Sequence, residues 1–272
     1  SGIREGSGYG SAMMKRLHPG KAAQNGVLAG LLASEGYQAP HSILEGEHGV
    51  FNLFAQRYDL ASVTAELGAR YLLESCYIKP YSCCRHIHGP IESLLRLTAE
   101  FDLEPESVKA ITVRMYREGT FFCNNNPQSF PEAQFSIPFC LAVAFCDRQV
   151  LPRNLRAGLQ NAQVRDLANA IQVEFDPALD EEYVQEQKRA HVLQVSLKDG
   201  KVLETRTDYP KGSTRNPMTR EDIEMKFRGL AEVALNPEVV EKILKVLYQI
   251  DKCNDVEELG RLLLGSSGAG EL

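Results

Sequence analysis

The sequence predicts an α+β fold: a mainly helical domain with an inserted smaller α+β domain of about four strands. Three observations carry this expectation. Segments with helical spacing of apolar residues lie towards both ends of the 272-residue chain. Segments of alternating or apolar strand character lie between them. One pair of strand segments flanks Lys198-Asp199-Gly200-Lys201, whose Asp-Gly pair suits a tight hairpin. The resulting division puts residues 1–74 and 211–265 in the helical domain, 75–210 in the α+β domain and 266–272 in a polar tail.

Residues 1–14 are rich in Gly and Ser and read as a loop. A helix is expected from Pro19 to Glu35, with proline at its first position and Gly36 just past its end. Ala23, Val27, Leu28, Leu31 and Leu32 form its expected buried stripe. Residues 36–54 read as a long loop with short elements, and 60–67 as a short helix. Pro90 is expected to open a helix to about Glu100. Val108–Tyr116 alternates, with Ile111, Val113 and Met115 on one face, and reads as a half-buried strand.

Residues 132–147 read as a buried apolar helix. Ile171–Phe175, His191–Leu197 and Val202–Thr207 complete the strands. Thr219 with Asp222 reads as the capped start of a helix to about Val233. Asn236-Pro237 starts another, with Val240, Ile243, Leu244, Leu247 and Ile250 on its apolar face. A last helix covers Val256–Leu264.

Bulk properties narrow the function. The net charge is −6, against the basic surplus of a general nucleic-acid binder. No apolar run reaches the length of a membrane span. The opening residues lack the charged start and apolar stretch of a signal peptide. Seven cysteines at irregular spacing give no disulfide framework, and a cytoplasmic location is expected.

Two segments concentrate chemistry. Lys15-Arg16-Leu17-His18-Pro19-Gly20-Lys21 lies at the N-terminus of the first expected helix, and Lys79-Pro80-Tyr81-Ser82-Cys83-Cys84-Arg85-His86-Ile87-His88-Gly89-Pro90 runs into another. Helix starts carry unpaired N–H groups that favour anions, so these cations suit a ligand with more than one carboxylate. The plainer reading is solvated cations and local ion pairs. A zinc reading of Cys83–His88 lacks a standard ligand spacing and a second ligand pair, so no metal is expected. A Cys84 nucleophile paired with His88 is the weaker alternative to a structural thiol. His41 and His48 read as exposed loop residues, His191 as structural, and Asn124-Asn125-Asn126-Pro127 as a turn. Ser7-Gly8-Tyr9-Gly10-Ser11 is too weak for a phosphate loop.

These motifs resemble the MmgE/PrpD family. Lys15 through Ala23 is similar to its KRLH-x-G-x-A segment, and Ile43-Leu44-Glu45-Gly46 with Gly49-Val50-Phe51 to the segment that follows. Lys79 through His88 is similar to KPYPxCRxxH, and Ala133 through Pro138 to the QFSxPY helix start. Lys211-Gly212, Asn216-Pro217-Met218 and Lys226-Phe227-Arg228 are similar to the C-terminal return. The match runs over about residues 7–264, taken as the C-terminal three-fifths of a member.

The resemblance implies cofactor-free and metal-independent lyase or isomerase chemistry on a small polycarboxylate. The members' reactions include dehydration of 2-methylcitrate, decarboxylation of cis-aconitate and epimerisation of iminodisuccinate. It implies Lys15, Lys79 and His88 as catalytic residues and His18, Arg85, Cys84 and His86 as substrate-binding residues. Cys84 stands where the decarboxylase branch has a catalytic histidine, and Phe139 where many members have tyrosine. A hydro-lyase or epimerase is therefore the expectation, with a non-catalytic or split-subunit relic as its rival. The resemblance further implies a homodimer, and a preceding helical stretch that a separate N-terminal helical fragment could supply. It implies neither nucleic acid nor membrane as a partner.

Overall fold

A computed structural model describes residues 14–264 of the chain. The expected N-terminal loop up to residue 13, including the Ser7–Ser11 pattern, and the tail from residue 265 lie outside the described residues. The chain divides into two units, Ser1–Cys76 and Tyr77–Leu272.

In the first unit, helix α1 spans Met14–Ser34. It starts before the expected Pro19, which lies inside it. The KRLH residues therefore occupy the opening turns of the helix itself. Proline has no N–H to donate to the carbonyl of Lys15 four residues back, so one helical hydrogen bond is missing there. The stripe expected to be buried is instead exposed, with Val27 at 65% and Leu31 at 60%. The cause is a lack of covering elements among the described residues of the unit. Helices α2 (Val50–Phe54) and α3 (Leu60–Thr64) have five residues each and cannot cover a helix of 21. Asp59 caps α3 through its side chain, which accepts from the Ala61 N–H at 3.0 Å.

The second unit holds the main core. A 3₁₀ turn, Arg85–Ile87, leads into α4 (His88–Phe101), which buries Ile91, Leu94 and Leu97. Strand β1 (Val108–Met115) follows, then α5 (Arg117–Thr120), α6 (Phe130–Ala133) and α7 (Ile137–Asp147). Next come α8 (Pro152–Gly158), α9 (Ala162–Asn169), β2 (Ile171–Phe175) and α10 (Pro177–Glu186). Strands β3 (His191–Leu197) and β4 (Val202–Thr207) form the expected hairpin. The chain ends in α11 (Arg220–Ala231), α12 (Pro237–Leu247) and α13 (Glu257–Leu264).

The sheet order is β2-β1-β3-β4. β1 and β2 run parallel, and β1–β3 and β3–β4 run antiparallel. Register aligns Ile111 with Val195 and Val113 with Leu193, so alternate residues of both strands share one buried face. Helix α4 packs against β3 and β4, and α7 packs against α4 and α9. Helix α7 is buried from Ile137 to Phe145, as its unbroken apolar sequence requires. At the far end Thr219 and Asp222 form the expected capping box, and Val240, Ile243 and Leu244 of α12 are buried. Leu247 and Ile250, expected on that face, are exposed.

Candidate active site

Lys79 through His88 is held in place by backbone hydrogen bonds to distant parts of the second unit. Ile78 N donates to Gly212 O at 2.8 Å, Ser82 N to Val150 O at 2.9 Å, and Cys84 N to Gln134 O at 2.8 Å. Gln134 returns a bond from its amide nitrogen to Ser82 O at 2.8 Å. Gly212 has φ +84°, and an added Cβ would lie 1.8 Å from Ile78 O, so only glycine permits this approach. Glu92 fixes the other strand of the junction, accepting from Lys211 N at 2.7 Å and Asn216 Nδ2 at 3.5 Å.

Within this frame each side chain has a distinct environment. Lys79 is half-buried and its Nζ donates to Cys83 O at 3.3 Å. Arg85 is 5% exposed, and its guanidinium donates to Lys211 O at 3.2 Å and Pro210 O at 3.3 Å while lying 4.7 Å from the Tyr77 ring centroid. Burial, then the nearby Arg189 cation, lowers its pKa, opposed by Tyr77. Its Nε has no hydrogen-bond partner among the described residues.

His88 is fully buried, with Nε2 3.4 Å from Cys83 O and its ring against Tyr81. Its Nδ1 has no hydrogen-bond partner among the described residues. Burial pushes the Tyr81 phenol above its ordinary value, reinforced by Glu92. The Cys83 thiol is likewise raised by burial, then by Cys140 beside it. A buried thiol held protonated is a poor nucleophile. His86 is half-buried, stacked on Phe122 at 5.3 Å, with Nδ1 2.6 Å from the Tyr116 hydroxyl.

Of the residues singled out in the sequence, five (Lys79, Cys84, Arg85, His86 and His88) lie together in the second unit. Lys15, exposed, and His18, half-buried, lie on α1 in the first. His41 and His48 are exposed. His191 is buried and bonded to Ser93 at 2.9 Å, a structural placement. Asn125 ties its loop down by donating to Ala168 O and Ile171 O. Among the described residues, no three His, Cys, Asp or Glu side chains form a group that could hold a metal ion. No described helix is long and apolar enough to cross a membrane.

Sequence reasoning missed two neighbours. Tyr116, at the end of β1, was read only as a strand residue. Lys226 was read only as part of a helix motif. Its ammonium is half-buried, with its pKa lowered first by burial and then by the charge of Lys79. No carboxylate pairs with either lysine among the described residues. Neither relationship had a local signal, because each joins residues far apart in the chain.

The fold and this segment define a class: an α+β protein presenting lysine, arginine and imidazole groups where a buried helix begins, an arrangement suited to carboxylate ligands. The chain belongs to the MmgE/PrpD family. The MmgE/PrpD C-terminal domain matches residues 81–251, and the MmgE/PrpD N-terminal domain matches residues 1–62.

Among curated relatives, cis-aconitate decarboxylase of Aspergillus terreus (strain NIH 2624 / FGSC A1156) is 29% identical, the match covering 94% of this chain and 55% of that protein. Cis-aconitate decarboxylases of Homo sapiens and Mus musculus are each 27% identical, the match covering 93% of this chain and 53% of theirs. The chain spans about half the length of the curated relatives it matches.

Proposed function

We propose that this chain carries part of the active site of a lyase acting on a small polycarboxylate, by proton transfer at a carbon next to a carboxylate. The observation that supports it is the Lys79–Lys226 neighbourhood: both lysines are half-buried, the charge of Lys79 is felt at Lys226, and among the described residues no carboxylate pairs with either. Such a place favours a multiply charged anion. The family membership and the relatives' name support the same class.

In this reading Lys79 and Lys15 hold or deprotonate the substrate, with His88 as a further proton carrier. His18, Cys84, Arg85 and His86 contribute to binding. Arg85 has donors left for an anion, its unpartnered Nε and the second N–H of each terminal nitrogen, the first of each being given to a carbonyl. The relatives' name brings decarboxylation of cis-aconitate into the panel beside dehydration and epimerisation. Cys84, in the position where the decarboxylase branch has histidine, favours the latter two.

A second reading, a subunit completed by a separate helical fragment, is supported by the exposed α1 stripe. Co-purification with such a fragment tests it, and gel filtration separates that complex from the homodimer proposed for the family. The test of activity is turnover of cis-aconitate, 2-methylcitrate, citrate and iminodisuccinate, with Lys79→Ala as control. Turnover lost in the variant supports the reading; turnover unchanged in it removes Lys79 from the chemistry.

A further inference from the structure

Lys188 and Arg189 are neighbouring cations between α10 and β3, and their surroundings differ. Lys188 Nζ pairs with Glu182 at 2.8 Å and with Asp208 at 3.5 Å. Arg189 is half-buried too, yet no hydrogen bond or ion pair engages its guanidinium among the described residues. Its Nε is sealed from solvent without a partner. The chain carries 36 acidic residues against 30 basic ones, so the missing partner does not reflect a shortage of carboxylates.

The contacts of Tyr183 fix where Arg189 sits. Arg189 Cζ lies 5.8 Å from the centroid of the Tyr183 ring, within cation–π range. That ring is itself held, its hydroxyl donating to Glu118 at 2.5 Å and its face stacking on Tyr116 at 4.2 Å. The same ring meets the His86 imidazole edge-on at 6.5 Å. Arg189 and His86 therefore share one aromatic neighbour, and Arg85 precedes His86 in the chain. Arg85 is almost fully buried and also keeps an Nε without a partner. The charge of Arg189 is felt at Arg85, and no carboxylate pairs with either among the described residues.

We propose that Arg189 is a further substrate-binding residue, taking together with Arg85 one carboxylate of a small polycarboxylate and leaving Lys79 to another. The identity of the ligand rests on the lyase reading above, and the anion site rests on the two arginines. A guanidinium presents paired N–H donors in one plane, which match the two oxygens of a carboxylate. A neutral ligand would leave two like charges uncompensated in a partly dry place. An arginine serving only to pack on Tyr183 accounts for the ring contact, but not for a sealed donor with no acceptor.

Calorimetric titration of the 272-residue chain with succinate and with inorganic phosphate tests the proposal. Arg189→Gln should weaken succinate roughly tenfold or more. Arg189→Lys, which keeps the charge and loses the fork, should recover only part of that loss. The unliganded Arg189→Gln chain should unfold at a urea midpoint close to the native one. A lowered midpoint with unchanged succinate affinity would make the residue structural and overturn the proposal. Full recovery in Arg189→Lys would overturn the two-oxygen pairing. Phosphate binding tighter than succinate, and lost in Arg189→Gln, would overturn the choice of carboxylate. Lost turnover in Lys79→Ala beside unchanged succinate affinity in Arg189→Gln keeps the lyase reading and discards this one. Unchanged turnover in Lys79→Ala beside weakened succinate in Arg189→Gln keeps the arginine site and discards the lyase reading.

Discussion

His86 Nδ1 lies 2.6 Å from the hydroxyl of Tyr116, a residue with no solvent exposure whose phenol is pushed above its ordinary value by burial. The phenol stays protonated and its O–H can donate to Nδ1; a neutral imidazole that accepts there carries its proton at Nε2. The Tyr116 ring stacks on Tyr183 at 4.2 Å, which fixes the donor's direction.

Tyr116→Phe keeps that stack and removes the donor alone. We expect it to cost about 1 kcal/mol in urea denaturation. It should also shift His86 away from the Nε2–H tautomer in imidazole ¹⁵N spectra. An unchanged tautomer would show that the hydroxyl does not set it.

His191 gives the protein a specific acid sensitivity. Burial, then Arg96, lowers its pKa to about 3, opposed by Asp208. The folded value lies below the ordinary 6.5, so as pH falls the unfolded chain takes up the proton first. Stability is therefore lost from about pH 6.5 down to about pH 3. Between pH 7 and pH 5 this amounts to about 2 kcal/mol, 1.5 pH units multiplied by the linkage constant. His191→Gln should show a shallower loss over that interval in urea melts, and a parallel loss would contradict the assignment.

Gly212→Ala should cost roughly 3 kcal/mol, since it combines a left-handed backbone with a clash against the Ile78 carbonyl. Because Ile78 adjoins Lys79, the variant should also weaken carboxylate binding. A urea midpoint equal to that of the native chain would show the junction to be loose.

The exposed stripe on α1 predicts a small effect. Val27→Glu with Leu31→Glu should change unfolding free energy by less than about 1 kcal/mol, because neither side chain is buried. The same pair should reduce binding of a hydrophobic dye. A large loss of stability would mean that the stripe is covered in solution.

Much of this architecture was legible before the structure. β2, β3 and β4 match their expected spans and β1 differs by one residue, because alternation and the Asp199-Gly200 turn are local signals. Helices α8 and α9 passed unread because seven and eight residues give too little periodicity. Helix α10 carries a clear start, Asp176 capping and Pro177 following, but buries only Leu179 and so shows no apolar stripe. The α1 stripe was legible as apolar, yet its exposure depends on what else is present to cover it. At the site, the segment from Lys79 to His88 announced itself by composition. Tyr116 and Lys226 did not, because only the folded β1 edge and α11 bring them to it.

The proposed lyase reading needs Lys15, on α1 of the first unit, and Lys79, in the second unit, to serve the same doubly charged acid. A double-mutant cycle on succinate or cis-aconitate affinity, with Lys15→Met, Lys79→Met and the pair, tests that most directly. Shared contact with one ligand predicts a coupling of about 1 kcal/mol or more between the two substitutions. Strictly additive losses, or a loss confined to one variant, would contradict it.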